Sequence, residues 1–235
     1  MIVKNKKRFV WGLSLGLSFG VILVLMFSPI FHGENGLQAA DRLFNSIAKG
    51  STNYFPDLLE KNKRFQDTKF EVTLKLANEE MAGKANKLMA LAGVRSAVDS
   101  TEVKASGYLG QLVQAALQDS EAMFNNQEEA IAAKYGFPGK EVLFVWWSSF
   151  KSLDKEFKKQ KMFAEASFLT DAMKKGVEVG YNFYGISPQN ASSKAGILSL
   201  SLVFYVIYTL WWGYAILFLF EGVGMQMKKG AKKEV

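Results

Sequence analysis

The sequence predicts an α-helical membrane protein in which two transmembrane helices enclose a mainly helical α+β extracytoplasmic domain with a small sheet of about three strands. Three observations carry this reading: an apolar stretch near each end of the chain (9–31 and 195–220), basic residues just outside both stretches, and an intervening region of mixed helical and strand periodicity. Each stretch exceeds the roughly 20 apolar residues that a helix needs to cross a bilayer.

The charges orient the spans. Lys4, Lys6, Lys7 and Arg8 precede the first, and Lys228, Lys229, Lys232 and Lys233 follow the second. Short basic flanks mark the cytoplasmic side of a membrane. The expected organisation is therefore a basic cytoplasmic tail (1–8), a first span (9–31), an extracytoplasmic domain (32–194), a second span (195–220) and a basic cytoplasmic tail (221–235). This is a two-pass, positive-inside protein of the bacterial inner (plasma) membrane, with residues 32–194 periplasmic or extracellular. Of the net charge of +7, the region 32–194 carries only +1, from 21 Lys and Arg against 20 Asp and Glu. Nucleic-acid binding needs basic residues gathered on a folded face, so no nucleic-acid partner is expected; the basic tails suit anionic headgroups instead.

The first span reads as a retained anchor rather than a cleaved signal. A signal core runs 7 to 15 residues and ends at a small-x-small site, whereas this stretch continues to Ser28-Pro29-Ile30-Phe31-His32. Within it Gly12, Gly16 and Gly20 recur every fourth residue, with Ser14 and Ser18 at the same interval. Such a glycine zipper leaves one face without bulk, so a second helix backbone can approach it closely. In the second span Tyr205, Tyr208, Trp211, Trp212 and Tyr214 crowd the middle and cytoplasmic half. Their polar hydrogens need partners in hydrocarbon, which again favours a protein neighbour. Counting about 20 residues from Ile197 puts Glu221 at or beyond the interface, as a solvated or headgroup-level carboxylate.

The outer region is read element by element. Leu37, Ala40, Phe44 and Ile47 share one helical face, and Gly50 ends that helix. Residues 51–57, with Pro56, read as a turn. Phe70, Val72, Leu74 and Leu76 alternate with polar residues and predict a strand. Asn78 followed by Glu79 and Glu80 starts a helix that stops at Gly93. Residues 94–98 and 101–106 form two strands around Asp99-Ser100. A helix follows from Tyr108 to near Gly136. Pro138 then opens a long helix whose apolar stripe (Val142, Trp146, Phe150, Leu153, Phe157) continues weakly to Phe183, with either a bend or break expected near Gly176 or Gly180 or a helix projecting toward a partner. Residues 185–194 connect to the second span.

Catalytic chemistry finds little support. The chain has no cysteine and a single histidine, His32. Disulfides, iron–sulfur ligation and c-type haem attachment are excluded, and a multi-histidine metal site cannot form within one chain. His32 reads as a boundary residue at the outer membrane edge. Glu79-Glu80 and Glu128-Glu129 are sequence neighbours that face apart on a helix, and no phosphate-cradling loop occurs. No catalytic residue, metal ligand or cofactor is expected. Trp146, Trp147 and Phe150 are either core or a tentative interaction patch of the outer domain; Lys155, Lys158, Lys159 and Lys161 read as a solvated face.

The expected function is that of a non-catalytic accessory or scaffold subunit of an integral membrane protein complex. Its spans would dock on other membrane subunits or on a second copy, within the lipid bilayer, and its outer domain would pack on partners. The alternative is a membrane-anchored ligand-binding sensor or receptor, with a pocket between the sheet and the long helix. The two-anchor layout is loosely similar to that of bacterial sensor receptors, but only 14 residues follow Glu221, so a signal would have to pass through a separate partner.

Overall fold

The computed structural model describes residues 3–225; Lys228, Lys229, Lys232 and Lys233 lie outside the described residues. The protein is mostly helical, with two long apolar helices and one open three-stranded sheet. In chain order the elements are α1 (Lys6–Phe27), α2 (Gly36–Ser51), α3 (Phe55–Asn62), β1 (Lys69–Lys75), α4 (Glu79–Leu91), β2 (Arg95–Asp99), β3 (Glu102–Tyr108), α5 (Leu109–Phe124), α6 (Glu128–Tyr135), α7 (Gly139–Lys159), α8 (Phe163–Ala172), α9 (Glu178–Phe183) and α10 (Ala195–Val223). A π-helical turn, Met173–Val177, joins α8 to α9. The chain divides into two compact units, one made of the described residues of Met1–Ile47 and Gln189–Val235, the other of Ala48–Pro188.

In the first unit, α1 begins before the apolar stretch because Asn5 caps it, its Oδ1 accepting from the Arg8 amide at 3.1 Å. It ends at Phe27 rather than Phe31. Proline disfavours helical geometry in the residue before it, and Ser28, ahead of Pro29, is extended. The chain then reverses: Phe31 and Glu34 exchange two backbone hydrogen bonds of 2.9 and 3.0 Å. His32 and Gly33 between them both have positive φ, 55° and 87°, as in a type I′ turn. The boundary histidine thus occupies a left-handed turn position. Asn35 and Gln38 cap α2 reciprocally, each side-chain oxygen accepting the other's amide at 2.9 and 3.0 Å, an arrangement of the capping-box type. The second long helix extends past Phe220 to Val223, where Gly224 takes the left-handed conformation that ends it.

The second unit is built on the sheet. Strand order is β1-β3-β2 with both pairings antiparallel, so β1, α4 and β2 form a crossover that leaves space for β3 between its strands. Phe70↔Gly107, Val72↔Ala105 and Leu74↔Val103 pair on the core-facing side, and Val72, Leu74, Val103 and Ala105 are buried. The free edge of β1 is covered by α7: Lys75 N donates to Ser152 Oγ at 2.9 Å and Gln160 Nε2 to Glu71 O at 3.0 Å. Covering an edge in this way removes a template for unwanted strand pairing. Asn78 caps α4 through Met81 N at 2.8 Å, with Glu79 and Glu80 in the first turn.

Three helical expectations are corrected. The predicted turn at 51–57 gives way to α3 at Phe55, because Pro56 sits in the first turn, where its missing N–H costs nothing. The single helix expected over 108–136 is two, α5 and α6, parted at Asn126. The helix expected from 138 to 183 breaks at Lys161, whereas Gly176 and Gly180 stay helical. Both breaks are Schellman motifs. Gln127 N donates to Ala122 O at 2.8 Å around Asn126 (φ 62°), and Met162 N to Phe157 O at 2.9 Å around Lys161 (φ 62°). Gly180 has another use: a β-carbon there would lie 2.5 Å from Ser120 O, so its absence lets α9 lie directly on α5.

Candidate helix-docking surface and buried polar hub

Both long helices are apolar enough, and long enough, to cross a membrane, and the most apolar window of each is only 6% buried. At 1.5 Å per residue α1 spans roughly 33 Å and α10 roughly 44 Å, against a hydrocarbon core of about 30 Å.

They pair antiparallel, most closely near residues 9–12 and 215–222. A β-carbon on Gly12 would fall 2.6 Å from Leu219 N, and one on Gly222 would fall 2.7 Å from Phe9 Cα. These two glycines let the backbones meet. At the same end the amides of Lys4 and Asn5 both donate to Gly222 O at 2.9 Å, and Arg8 Nε pairs with Glu221 Oε2 at 3.2 Å while its guanidinium covers the Phe218 ring. Glu221 is therefore ion-paired across the hairpin while its side chain stays 35% exposed.

Farther along, the Trp211 indole donates to Leu15 O at 3.1 Å. Trp212 packs on Phe19 with ring centroids 4.9 Å apart, and Tyr208 lies 6.3 Å from the same ring. Tyr205 meets Tyr208 edge-on and is otherwise exposed. Ser18 Oγ donates back to Leu15 O, and Ser14 is exposed. The glycine stripe divides: Gly12 is consumed by α10, but a β-carbon at Gly16 or Gly20 would meet nothing within 4 Å. The cause is geometric, since a four-residue repeat drifts about 40° per step around a helix of 3.6 residues per turn. By Gly20 the smooth face has turned away from α10. Gly213 on α10 is open in the same way.

Between α1, α10 and α2 lies a cavity of about 680 Å³ whose walls include Phe19, Met26, Phe44, Leu202, Tyr205 and Tyr208.

In the second unit the aromatic cluster separates by depth. Trp146 and Phe150 are fully buried and belong to the core; of the three residues predicted as a tentative patch, Trp147 alone reaches the surface. Its indole donates to Glu178 Oε1 at 2.9 Å, it stacks with Phe144, and the Lys151 ammonium sits 4.6 Å above its ring. Lys158 and Lys159 pair with Asp154 and Glu156 on the same helix, at 2.7 and 2.6 Å.

Sequence reasoning passed over two polar groups in this core. Asp119 on α5 is buried, and its carboxylate accepts from Trp146 Nε1 at 2.8 Å, Tyr135 Oη at 2.6 Å and Lys134 Nζ at 2.7 Å. This hub ties α5, α6 and α7 together. Burial, and then the hydrogen bond to Asp119, raise the Tyr135 pKa well above its ordinary value. The signal was present: 119 falls in the core series Leu112, Ala116, 119, Met123, where an acidic residue must find internal partners. The second group is Lys49, buried at the end of α2. Its ammonium donates to Ile186 O at 2.6 Å and Phe183 O at 3.1 Å, and lies 4.9 Å from the Phe124 ring. A cation there complements the carbonyl end of α9, while burial pushes its pKa down.

Both groups are saturated by internal partners and closed to solvent, an arrangement that holds helices together and offers no accessible acid or base. Among the described residues, no group of three or more His, Cys, Asp or Glu is placed to hold a metal ion. Comparison with protein-family models, with curated proteins and with solved structures returns no match for this chain.

Proposed function

We propose that this chain is a two-pass, non-catalytic accessory or scaffold subunit of an integral membrane protein complex. Both termini are cytoplasmic, and the Ala48–Pro188 unit lies on the extracytoplasmic side. The observation that carries this reading is the unspent surface of the hairpin. After α1 and α10 have paired through Gly12 and Gly222, the smooth positions Gly16, Gly20 and Gly213 remain open, and in a membrane such positions are where a further helix can approach. Exposed apolar area of this extent is not sustained in water by a monomeric protein, which supports lipid or protein as the surroundings. Arg8 and the lysines before it support the cytoplasmic placement of that end.

The sensor alternative needs a cavity between the sheet and the long helix. Val72, Leu74, Val103, Leu153 and Phe157 are buried there, but two clefts of about 570 and 500 Å³ border the same elements, one lined by Glu71, Arg95 and Glu156 and the other by Lys75, Trp147 and Lys155, so the receptor reading stays as the alternative.

Gentle detergent extraction of the native protein, followed by native mass analysis, tests the proposal. Stoichiometric co-migration with other membrane proteins is the expected result. A clean monomer that binds a small molecule through the outer unit would replace it with the receptor reading.

A further inference from the structure

We infer that the cavity bounded by α1, α10 and α2 is the seat of one acyl chain of a membrane lipid. The inference rests on the reading of α1 and α10 as membrane spans.

Chemistry of the walls comes first. Their side chains are apolar except at Ser201, Tyr205 and Tyr208, and the Ser201 hydroxyl is already bonded to Ile197 O at 2.8 Å. The Tyr205 and Tyr208 hydroxyls are the remaining polar side-chain atoms, too few to repay the desolvation of a ligand that is polar over most of its surface. Continuity comes second. Leu23, Leu202 and Tyr205 belong at once to the cavity and to the exposed apolar surface of the long helices, so the cavity opens without interruption onto the surface that faces lipid.

Size and shape then choose the occupant. A helix about 10 Å across would fill the cavity's volume of about 680 Å³ in roughly 9 Å of its length, under two turns. The walls also carry large side chains, whereas helices that dock in membranes do so over small residues. A narrow, flexible hydrocarbon chain meets both conditions. The third wall is α2, which is amphipathic: Leu37 and Phe44 line the cavity and remain half-exposed, while Gln38, Asp41 and Arg42 are exposed polar residues of the same helix. A helix of this type rests at the headgroup boundary with its apolar side toward the acyl layer.

The full-length chain, extracted in mild detergent and freed of loosely held lipid, is assayed by native mass spectrometry for retained phospholipid. One phospholipid per chain is expected, with occupancy reduced at least five-fold in Leu202→Trp, which obstructs the mouth of the cavity, and unchanged in Val10→Trp on the exposed surface of α1. Because the chain lacks cysteine, single nitroxide labels at Phe44→Cys and Val21→Cys in phospholipid vesicles provide an independent measurement. Both labels should collide with oxygen far more often than with a water-soluble nickel chelate. If Val21 reports hydrocarbon but Phe44 reports water, or if Leu202→Trp retains as much lipid as the wild type, the acyl site is overturned and the membrane reading stands. Retention of a polypeptide in place of lipid, lost in Leu202→Trp, overturns the acyl occupant. A Val21 label open to the nickel chelate overturns the membrane reading and the site with it.

Discussion

The indole Nε1 of Trp211 donates a hydrogen bond of 3.1 Å to the backbone carbonyl of Leu15, across the pair of long apolar helices. A tryptophan near the middle of an apolar helix carries one hydrogen that hydrocarbon cannot satisfy. Here a helix carbonyl supplies the acceptor. The same oxygen accepts from Ser18 Oγ at 3.0 Å, so the contact draws α10 to α1 without breaking the α1 ladder.

Trp211→Phe should therefore cost little. The carbonyl keeps its other partners, and an interhelical hydrogen bond in a membrane averages about 0.6 kcal/mol. Trp211→Ala, which also empties the contact with Phe19, should cost more. Thermal unfolding of the solubilised chain orders the three proteins; a Phe variant less stable than the Ala variant would contradict this assignment.

The glycine stripe should show two phenotypes. Gly12→Leu forces a side chain to within 2.6 Å of Leu219 N and should lower the unfolding temperature of the hairpin. Gly16→Leu meets open space and should leave that temperature alone while reducing co-extraction of a partner. Equal thermal losses from both would show that the stripe packs as one surface within the chain.

Asp119→Ala should be among the most damaging single changes in the Ala48–Pro188 unit. It strands the Tyr135 hydroxyl and the Trp146 indole at once, both on buried side chains, and each buried donor left unsatisfied costs about 1–3 kcal/mol. Asp119→Asn keeps an acceptor oxygen and should lose less. Denaturant unfolding followed by far-ultraviolet circular dichroism measures both.

Lys49 sets a pH dependence of definite sign. Burial lowers its pKa from the ordinary 10.5, so between the lowered value and 10.5 the unfolded chain holds more proton than the folded one. Stability contributed by this residue must rise with pH across that window and level off above it. Tyr135, with a raised pKa, acts in the opposite sense above pH 10, but it is common to both proteins when wild type is compared with Lys49→Met. The stability difference between them should climb through the window; a difference independent of pH would show that the ammonium is not desolvated.

Legibility followed how local each signal was. Alternation over Phe70–Leu76 announced β1, and Asn78 with its two glutamates announced the start of α4, because strand faces and caps are decided within a few residues. Helix ends marked by glycine were also readable: Gly93 and Gly136, at the ends of α4 and α6, both have φ of 76°. The ends at Asn126 and Lys161 were not, since a non-glycine residue reaches the left-handed region against a steric cost of roughly 1–2 kcal/mol, which only surrounding contacts repay. Asn126 is held there by Gly185 N, donating to its Oδ1 at 2.7 Å, and by its own amide donating to Ile186 O at 3.2 Å. Those partners lie about 60 residues away in sequence.

Composition and spacing alone determined that the chain is mainly helical, that it has two apolar helices long enough to span a bilayer, and that a small sheet lies between them. These are consequences of period and length, which every short window of sequence carries. Only the tertiary structure decided that Gly12 faces α10 while Gly16 and Gly20 do not, that Trp146 is buried and Trp147 is not, and that Asp119 and Lys49 have partners at all. Each depends on the angle at which one helix meets another, and that angle is set by the summed packing of residues far apart in the chain.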